Sequence, residues 1–229
     1  MASTSQQQQF PIQQQQQQQD IPHRIHRNHA NSRFITVASA NAQGLKQHPK
    51  LEEAVEAMKK RNIFAVTLQE TWRTGTETLS LRNFSFLLQG PPSQTGRGSQ
   101  GVGIILSPSA QIAWAKADNE IHNDLGARTM AVRLCLSLPA STSSIGLFLI
   151  SAYAPVSDAP EAPWDSFFDN LRILIARKRK DDLLLIGADC NASLGINKVK
   201  SKHFKDSIGQ HGWDHQNEFK SINCCNHNV

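Results

Sequence analysis

One stretch decides the fold class of this chain: Asp181-Asp-Leu-Leu-Leu-Ile-Gly-Ala-Asp-Cys-Asn191. Its four consecutive large aliphatic residues, Leu183 to Ile186, are too few for a helix and too continuous for a strand with one face in water. They predict a strand that is buried on both faces. Asp189 and Asn191 follow at its carboxyl end, where α/β sheets usually place chemistry. Both residue types also shape turns, so the stretch alone leaves a purely structural interpretation open.

A second buried strand is predicted upstream, at Ile63 to Leu68, and a carboxylate follows it at Glu70. An earlier strand, Phe34 to Ala40, ends at Asn41, and a helix opened by Pro49 separates the two strands. A strand, a helix and a strand in this order form a parallel pair and bring both carboxyl ends to one edge of the sheet. We therefore expect Asn41 and Glu70 to be neighbours in space.

The middle of the chain predicts a meander of shorter strands. Glycines at positions 101 and 103 indicate close approach between backbones. A helix from about Trp164 to Arg177 then leads into the strand quoted first, which is typical of an α/β fold. The predicted strands of this region are 84–89, 101–107, 111–117, 127–138 and 145–152, the last of which leads to Tyr153.

The composition separates a tail from one folded domain. The 229 residues suffice for one substantial core, whereas the first 33 hold eleven glutamines and few apolar groups, so we expect residues 1–33 to be disordered. No apolar run suits a signal peptide or a membrane span, which predicts a soluble intracellular protein, nuclear or cytoplasmic, without a membrane partner. The four cysteines lack zinc-finger spacing and predict reduced thiols. The net charge of +5 favours an anionic partner.

The polar residues at the predicted strand ends suit phosphate chemistry. Mg²⁺ prefers oxygen ligands and commonly binds one or two carboxylates while substrate phosphate completes its shell, so Glu70 with Asn41 is a candidate metal site. Asp189 is placed to accept a proton from an attacking water, and Asn191 and Tyr153 to donate hydrogen bonds to phosphate oxygens. Structural roles stay open beside these, with Tyr153 as a core aromatic and Glu70 as a solvated charge.

Five motifs follow one another along the chain, and four of them carry these residues. They are Ala38-Ser-Ala-Asn-Ala-Gln-Gly-Leu45, Leu68-Gln-Glu-Thr-Trp72, Gly101-Val-Gly-Ile-Ile-Leu106, Ser151-Ala-Tyr-Ala-Pro155 and Ile186-Gly-Ala-Asp-Cys-Asn-Ala192. In this order they resemble the endonuclease/exonuclease/phosphatase family, which includes deoxyribonuclease I, the abasic-site endonucleases and the endonuclease domains of LINE-type (non-LTR) retrotransposons. The last three motifs, with Ile208-Gly-Gln-His-Gly212, are most similar to the retrotransposon branch and its domesticated relatives. The resemblance covers about Phe34 to Asn217.

The resemblance implies a four-layer α/β sandwich, in which two facing mixed sheets carry helices on their outer sides. It also implies a hydrolase, namely a nuclease that uses Mg²⁺, with Mn²⁺ as an alternative, to cleave a nucleic-acid backbone by attack of water. In that family Glu70 would hold the metal ion, with Asn41 beside it. The expected partner is nucleic acid, DNA before RNA, and the oligomeric state stays open.

The resemblance also suggests roles for the remaining site residues. Tyr153 and Asn191 would contact phosphate, and Asp189 would position or deprotonate the nucleophile. Arg97, in the glycine- and proline-containing stretch Gly90 to Gln100, is a further candidate contact for nucleic acid.

The sequence departs from the family at its closing motifs. The family normally has a further Asp on a later strand and an Asp-His pair near the end of the domain, whereas Asp214-His215 here falls in a predicted loop. Gln43 also stands where some members carry an acid. We therefore expect a domain at 34–217 that is truncated, or C-terminally incomplete, with an open apolar edge on its second sheet. An irregular tail is expected at 218–229, and cleavage by this chain should be weak or absent.

Other functions stay open at this point. A non-catalytic remnant that binds nucleic acid or protein would share the basic charge and the open sheet edge. A phosphatase of the same family is a further alternative, although the sequence shows no additional substrate-recognition segments. The basic run Arg177-Lys178-Arg179-Lys180 fits either a solvated helix end or a nucleic-acid contact.

Overall fold

The computed structural model describes residues 34–93, 98, 100–137 and 144–191. The predictions for the tail 1–33, for Arg97, for the end of the domain after Asn191 and for the segment 218–229 lie outside these residues. The elements in chain order are β1 (Val37–Asn41), α1 (His48–Arg61), β2 (Ala65–Gln69), β3 (Thr76–Leu81), β4 (Phe84–Gln89), β5 (Val102–Leu106), α2 (Pro108–Ala115), β6 (Ile121–His122), β7 (Thr129–Ser137), β8 (Ser144–Tyr153), α3 (Glu161–Ala176) and β9 (Leu183–Asp189).

The strands form two mixed sheets. The first has the order β1-β2-β5-β4-β3 and the second the order β6-β7-β8-β9. Only two pairs in these described strands are parallel, β1 with β2 and β8 with β9. A helical crossover joins each of them, α1 in the first sheet and α3 in the second, as parallel neighbours require. The carboxyl ends of these four strands therefore point the same way within each sheet.

The two sheets face each other across an apolar core, with helices outside. Aliphatic side chains of β4 and β5 meet those of β7 and β8 in the central layer, which α2 closes at one side. Helix α1 covers the outer face of the first sheet through Leu51, Val55 and Met58. Helix α3 covers the outer face of the second through Phe167 and Leu174. The described residues thus form the α/β sandwich of four layers that was predicted.

The first crossover helix follows its sequence signals closely. Pro49 lies in the first turn of α1, where its missing N–H leaves no gap in the hydrogen bonding. Asn62 ends the helix in the left-handed conformation, and its N–H reaches the carbonyls of Met58 and Lys59. Leu51, Val55 and Met58, at helical spacing, are buried and Ala54 is partly buried, which fixes the direction in which β2 re-enters the sheet.

The segment predicted as a strand at 111–117 is wrong, since α2 occupies Pro108–Ala115. The Ser107 hydroxyl accepts a hydrogen bond from the Ala110 N–H, and Pro108 supplies a first residue with helical geometry. This cap starts the helix at Pro108, three residues before the segment 111–117 that was predicted as a strand. Strand β3 was not predicted either, because its residues alternate at an exposed edge.

The prediction that Leu183 to Ile186 would be buried on both faces is also wrong. These four side chains are 36% to 55% exposed. Strand β9 is the edge strand of the second sheet and pairs with β8 alone among the described strands. A continuous aliphatic run is buried only where neighbouring elements pack against the strand. Within residues 34–191 no further strand pairs with the outer edge of β9. The predicted open apolar edge is present in this part of the chain.

Ion pairs stabilise the turn from α3 into β9. Asp182 is buried and receives two hydrogen bonds from Arg133, at 2.8 and 2.9 Å. Arg177 forms a two-point pair with Asp124, and Arg179 pairs with Glu120 at 2.8 Å. The Lys178 Nζ atom donates to backbone carbonyls of this same turn. Three of the four residues of the basic run therefore stabilise the turn.

Two expectations from composition concern membranes and thiols. No helix in the described ranges combines the length and the apolar character that crossing a membrane requires. Cys135 and Cys190 are free thiols. The remaining cysteines, Cys224 and Cys225, lie outside the described residues.

Candidate functional site

Four strand ends meet at one edge of the sandwich. Strand β1 ends at Asn41, which is paired in register with Gln69 at the end of β2, so Glu70 follows at the same level. Strand β8 ends at Tyr153, which is paired in register with Asp189 at the end of β9. Each of the four strands in the two parallel pairs thus delivers one polar residue to a common edge. This is the arrangement expected where a helical crossover joins parallel strands.

The Asn41 amide holds the two carboxylates together. Its Nδ2 donates to Glu70 Oε1 at 2.9 Å and to Asp189 Oδ2 at 3.0 Å. These two oxygens therefore lie no more than about 6 Å apart, close enough for two negative charges to repel each other. The Asn41 Oδ1 accepts the N–H of Gln43 at 3.1 Å, which fixes the orientation of the amide. The predicted proximity of Asn41 and Glu70 is confirmed.

Tyr153 lies beneath this pair as a hydrogen-bond donor. Its ring is buried, and its hydroxyl donates to Glu70 Oε1 at 3.1 Å. Burial raises the pKa of Tyr153 above its ordinary value, and the negative charge of Glu70 raises it further. The hydroxyl therefore keeps its proton at neutral pH and is suited to donating a hydrogen bond rather than to accepting a proton.

Arg128 adds a positive charge that the sequence analysis missed. Its guanidinium lies 5.2 Å from the centre of the Tyr153 ring, and Nη1 donates to the carbonyls of Tyr153 and Ala154. Burial lowers the pKa of Arg128, although an arginine stays charged at neutral pH. It forms no ion pair with any carboxylate in the described residues. Its place directly before β7, the strand that pairs with β8, was the signal available in the sequence.

Asn191 is present at the edge but uses its amide on the backbone. Its Nδ2 donates to the Ala154 carbonyl at 2.8 Å, and its backbone N–H donates to Asp189 Oδ1 at 3.1 Å. The second contact orients the Asp189 carboxylate. The Asn191 amide has a second N–H, so its bond to Ala154 does not by itself prevent a contact with phosphate.

The backbone at this edge is strained. Gln43, Glu70, Trp72 and Asn191 all have positive φ, between +45° and +56°. A non-glycine residue in this conformation costs about 1–3 kcal/mol, and such residues cluster at functional sites. Gly44 permits the packing, because a Cβ atom there would overlap the Trp72 ring. The left-handed turn at Glu70 directs its carboxylate towards Asn41 instead of along the strand.

Asp189 and Asn41 line an open cleft of about 780 Å³, and Glu70, which is bonded to Asn41, is not among its lining residues. Neither Glu70 nor Asp189 forms an ion pair with a lysine, arginine or histidine of the described chain. Burial raises the pKa of the Cys190 thiol at the rim, which disfavours the thiolate. The cleft is lined by Ser39, Ala40, Asn41, Gln69, Val156, Ser157, Ala188, Asp189, Cys190 and Asn191.

The oxygen atoms at this edge fit a hard divalent cation. Glu70 Oε2 accepts no hydrogen bond from the described residues, and two carboxylates with little positive charge nearby are the donors that Mg²⁺ prefers. The described part contains no cluster of three or more acidic, histidine or cysteine ligands, so water and substrate oxygens would complete the shell. Asn41 turns its nitrogen to the carboxylates, and a ligand role for its oxygen would require the amide to rotate.

Other predicted or expected groups are not at this edge. Arg97 lies outside the described residues. The two histidines in the described part, His48 and His122, lie beside Glu52 and Glu120, at 4.0 and 3.1 Å from the nearest carboxylate oxygen. No described histidine therefore reaches the cleft as a hydrogen-bond donor.

Comparison with known proteins finds similarity at the level of structure. No protein-family model matches the chain, and no curated protein matches it. Among solved structures, it is similar to the AP endonuclease LMAP from Leishmania major, with a TM-score of 0.46 and 14% sequence identity. The similarity covers 69% of this chain and 54% of that one, so the chain spans about half the length of that endonuclease.

Proposed function

We propose that this chain is a divalent-metal-dependent phosphodiesterase of the endonuclease/exonuclease/phosphatase type, which cleaves a nucleic-acid backbone, with DNA as the expected substrate. The convergence of Glu70 and Asp189 on the amide of Asn41 supports the proposal most directly. It assembles two carboxylates that no cationic side chain of the described residues neutralises. Within the family, the residues of the motifs favour the LINE-type retrotransposon branch.

In this proposal the carboxylates have separate roles. Glu70, with Asn41 beside it, holds the divalent metal ion, which when bound supplies positive charge that polarises a phosphate oxygen. The side-chain carboxylate of Asp189 accepts only two hydrogen bonds within the described residues. Both come from neutral donors, so the carboxylate retains free lone pairs. It can therefore orient an attacking water and take its proton.

Two donors beside the carboxylates suit the charge that develops on phosphate. Tyr153 keeps its proton and can donate it to a non-bridging oxygen if the hydroxyl turns away from Glu70, and the guanidinium of Arg128 adds positive charge behind it. Asn191 orients Asp189 through its backbone N–H. No described histidine contributes a further donor, and loss of one preorganised donor typically costs about 10²–10³ in rate. We therefore expect slow cleavage.

Conversion of supercoiled plasmid to nicked circles by the full chain tests the proposal. We expect nicking in Mg²⁺ or Mn²⁺, none in EDTA, and a loss of at least about 10²-fold in Glu70→Gln, which removes the charge that holds the ion. Glu53→Gln, on the exposed face of α1, is the matched control and should cleave like the parent chain. Cleavage that persists in EDTA or in Glu70→Gln would contradict the proposal.

Binding of the ion has a readout that does not depend on cleavage. Mg²⁺ at ten times its Kd should raise the free energy of unfolding by about 1.4 kcal/mol. The increase should disappear in Glu70→Gln and remain in Glu53→Gln. An equal increase in both variants would place the ion elsewhere.

A second function is favoured by the exposed aliphatic residues of β9. Among the described strands β9 pairs with β8 alone, and such an edge strand with apolar side chains can bind a protein or nucleic-acid complex without catalysis. In that case DNA binding would fall with salt while no metal concentration produced nicking. The plasmid assay therefore separates the two functions.

A further inference from the structure

A polar layer lies directly beneath the four strand ends, where the two sheets meet. Gln69 is 1% exposed at the end of β2, and Thr67 and Ser151 are fully buried beside it. An amide at this depth is costly unless its hydrogen-bonding groups are satisfied. The hydrogen-bond partners of the Gln69 amide therefore indicate what this residue does in the fold.

The Gln69 side chain contacts all three of the other strands that end at the site. Its Nε2 donates to the Gly187 carbonyl of β9 at 3.1 Å and to Ser151 Oγ of β8 at 3.4 Å. Its Oε1 accepts from Ser39 Oγ of β1 at 3.3 Å. Ser151 in turn donates to the Leu68 carbonyl of β2 at 2.8 Å, which closes the network.

Each partner of Gln69 lies two residues before a site residue on the same strand. Side chains two positions apart on a strand point to the same face, so the polar layer and the site are successive layers of one stack. Gln69 itself directly precedes Glu70. The three pairs are Ser39 and Asn41 on β1, Ser151 and Tyr153 on β8, and Gly187 and Asp189 on β9.

The stack also depends on a close approach of the two sheets at Gly187. A Cβ atom there would overlap Thr67 Oγ1 and would lie 3.1 Å from Ser39 Oγ. The missing side chain lets β9 approach β1 and β2 closely enough for the Gln69 amide to reach its carbonyl. A shift of β9 along its neighbours would leave the amide unsatisfied.

We propose that Gln69 is the positioning residue of the site: its buried amide fixes the relative placement of β1, β2, β8 and β9, and so holds Asn41, Glu70, Tyr153 and Asp189 in one cluster. Apolar packing alone does not specify this placement, since aliphatic side chains tolerate small shifts whereas a satisfied polar network does not. The inference rests on the proposed function only in taking these four strand ends as the reaction site.

Amide hydrogen exchange of Gln69→Met tests the inference. Methionine keeps the length of the glutamine side chain and removes every hydrogen bond that the side-chain amide forms. We expect the amides of Ala42, Gly44 and Ala154, which bond across the strand ends, to exchange at least about tenfold faster. The amides of Phe64 and Ser107, at the opposite end of the first sheet, should keep their rates.

Gln89→Met is the matched control. Gln89 is also buried, on β4 of the same sheet, and accepts the Thr76 hydroxyl at 2.6 Å, away from the site. This variant should not accelerate exchange at the strand ends. A uniform increase over the whole sheet in Gln69→Met, or no increase at the strand ends, would show that Gln69 contributes to the fold alone and would overturn the inference.

Ser151→Ala gives a second test that removes only part of the network. It should accelerate the same strand-end amides by a smaller factor, and it replaces Gln69→Met if that variant does not fold. Unchanged exchange in Ser151→Ala would also contradict the inference. Exchange is measured without metal or substrate, so a chain that fails to cleave plasmid would refute the proposed function and leave this result standing.

Discussion

Two aspartates at the two ends of β9 are treated in opposite ways. Asp182, directly before the strand, has a side chain that is 2% exposed and forms a two-point ion pair with Arg133. Asp189, at the far end roughly 20 Å away, is partly exposed and accepts hydrogen bonds from the neutral donors Asn41 and Asn191. One end of the sandwich neutralises its carboxylate, and the other end leaves its carboxylates close together and charged.

The difference separates charges that hold the fold from charges that are available for chemistry. A buried carboxylate that has no function must be neutralised, because its desolvation costs several kcal/mol. A carboxylate that binds a cation must instead keep its charge and its free lone pairs. Around Asp182 the pairs Arg177–Asp124 and Arg179–Glu120 continue the first pattern. Around Asp189 the nearest acid is Glu70, which continues the second.

The largest expected effect comes from breaking the neutralised end. Asp182→Ala leaves the Arg133 guanidinium buried without its partner, and we expect the free energy of unfolding to fall by about 3–5 kcal/mol in urea titrations. The double variant Arg133→Met with Asp182→Leu should recover most of this loss. A loss below about 1 kcal/mol in the single variant would show that the pair contributes no more than a surface ion pair.

A smaller effect is expected from Gly146→Ala, which crowds the same pair. A Cβ atom at Gly146 would overlap Asp182 Oδ1 and lie 2.5 Å from Arg133 Nη2. Inserting an atom into a packed site costs about 1–3 kcal/mol, measured by thermal unfolding. Gly126→Ala is a useful contrast, because no atom lies within 4 Å there and its cost comes from the backbone alone, at φ +87°.

At the end of β9 that carries Asp189, removal of the carboxylate should not destabilise the fold. Asp189→Asn removes a charge that faces Glu70, so we expect the free energy of unfolding without metal to change by less than about 0.5 kcal/mol or to rise. The same variant should lose metal-dependent nicking of plasmid. A destabilisation comparable to that of Asp182→Ala would remove the distinction between the two ends.

The smallest expected effect concerns acid. The hydrogen bond from Arg177 lowers the pKa of Asp124 to about 2, from an ordinary value of 3.8. A depressed folded-state pKa stabilises the fold above the ordinary value, and the stabilisation is lost as the pH falls from about 4 to about 2. In Asp124→Asn the free energy of unfolding should therefore fall less steeply over this range. Because the Asp124 side chain is 59% exposed, solvent screening keeps the difference small.

The sequence could predict the layout of the site because the layout follows from topology. Two strand-helix-strand units impose parallel pairs, and parallel pairs bring Asn41 next to Glu70 and Tyr153 next to Asp189. Four of the five motifs mark the same strand ends. The roles of these residues stay predictions until the variants are measured.

Features that depend on three-dimensional neighbours could not be predicted. The aliphatic run of β9 looks the same in sequence whether or not another strand covers it, and here it lies at an edge. The apolar residues after Pro108 suggested a strand because the Ser107 cap was overlooked. The role of Gln69 arises from three contacts with residues 30, 82 and 118 positions away, and no local pattern encodes them.

The bond between Asn41 and Asp189 joins residues that are 148 positions apart. A ribosome that adds about 5–20 residues per second needs roughly 7–30 s to make the intervening chain. During that time the nascent polypeptide holds Asn41, and later Glu70, without Asp189. The cluster therefore cannot assemble until β9 has emerged and docked, so any cleavage competence must follow the synthesis of β9.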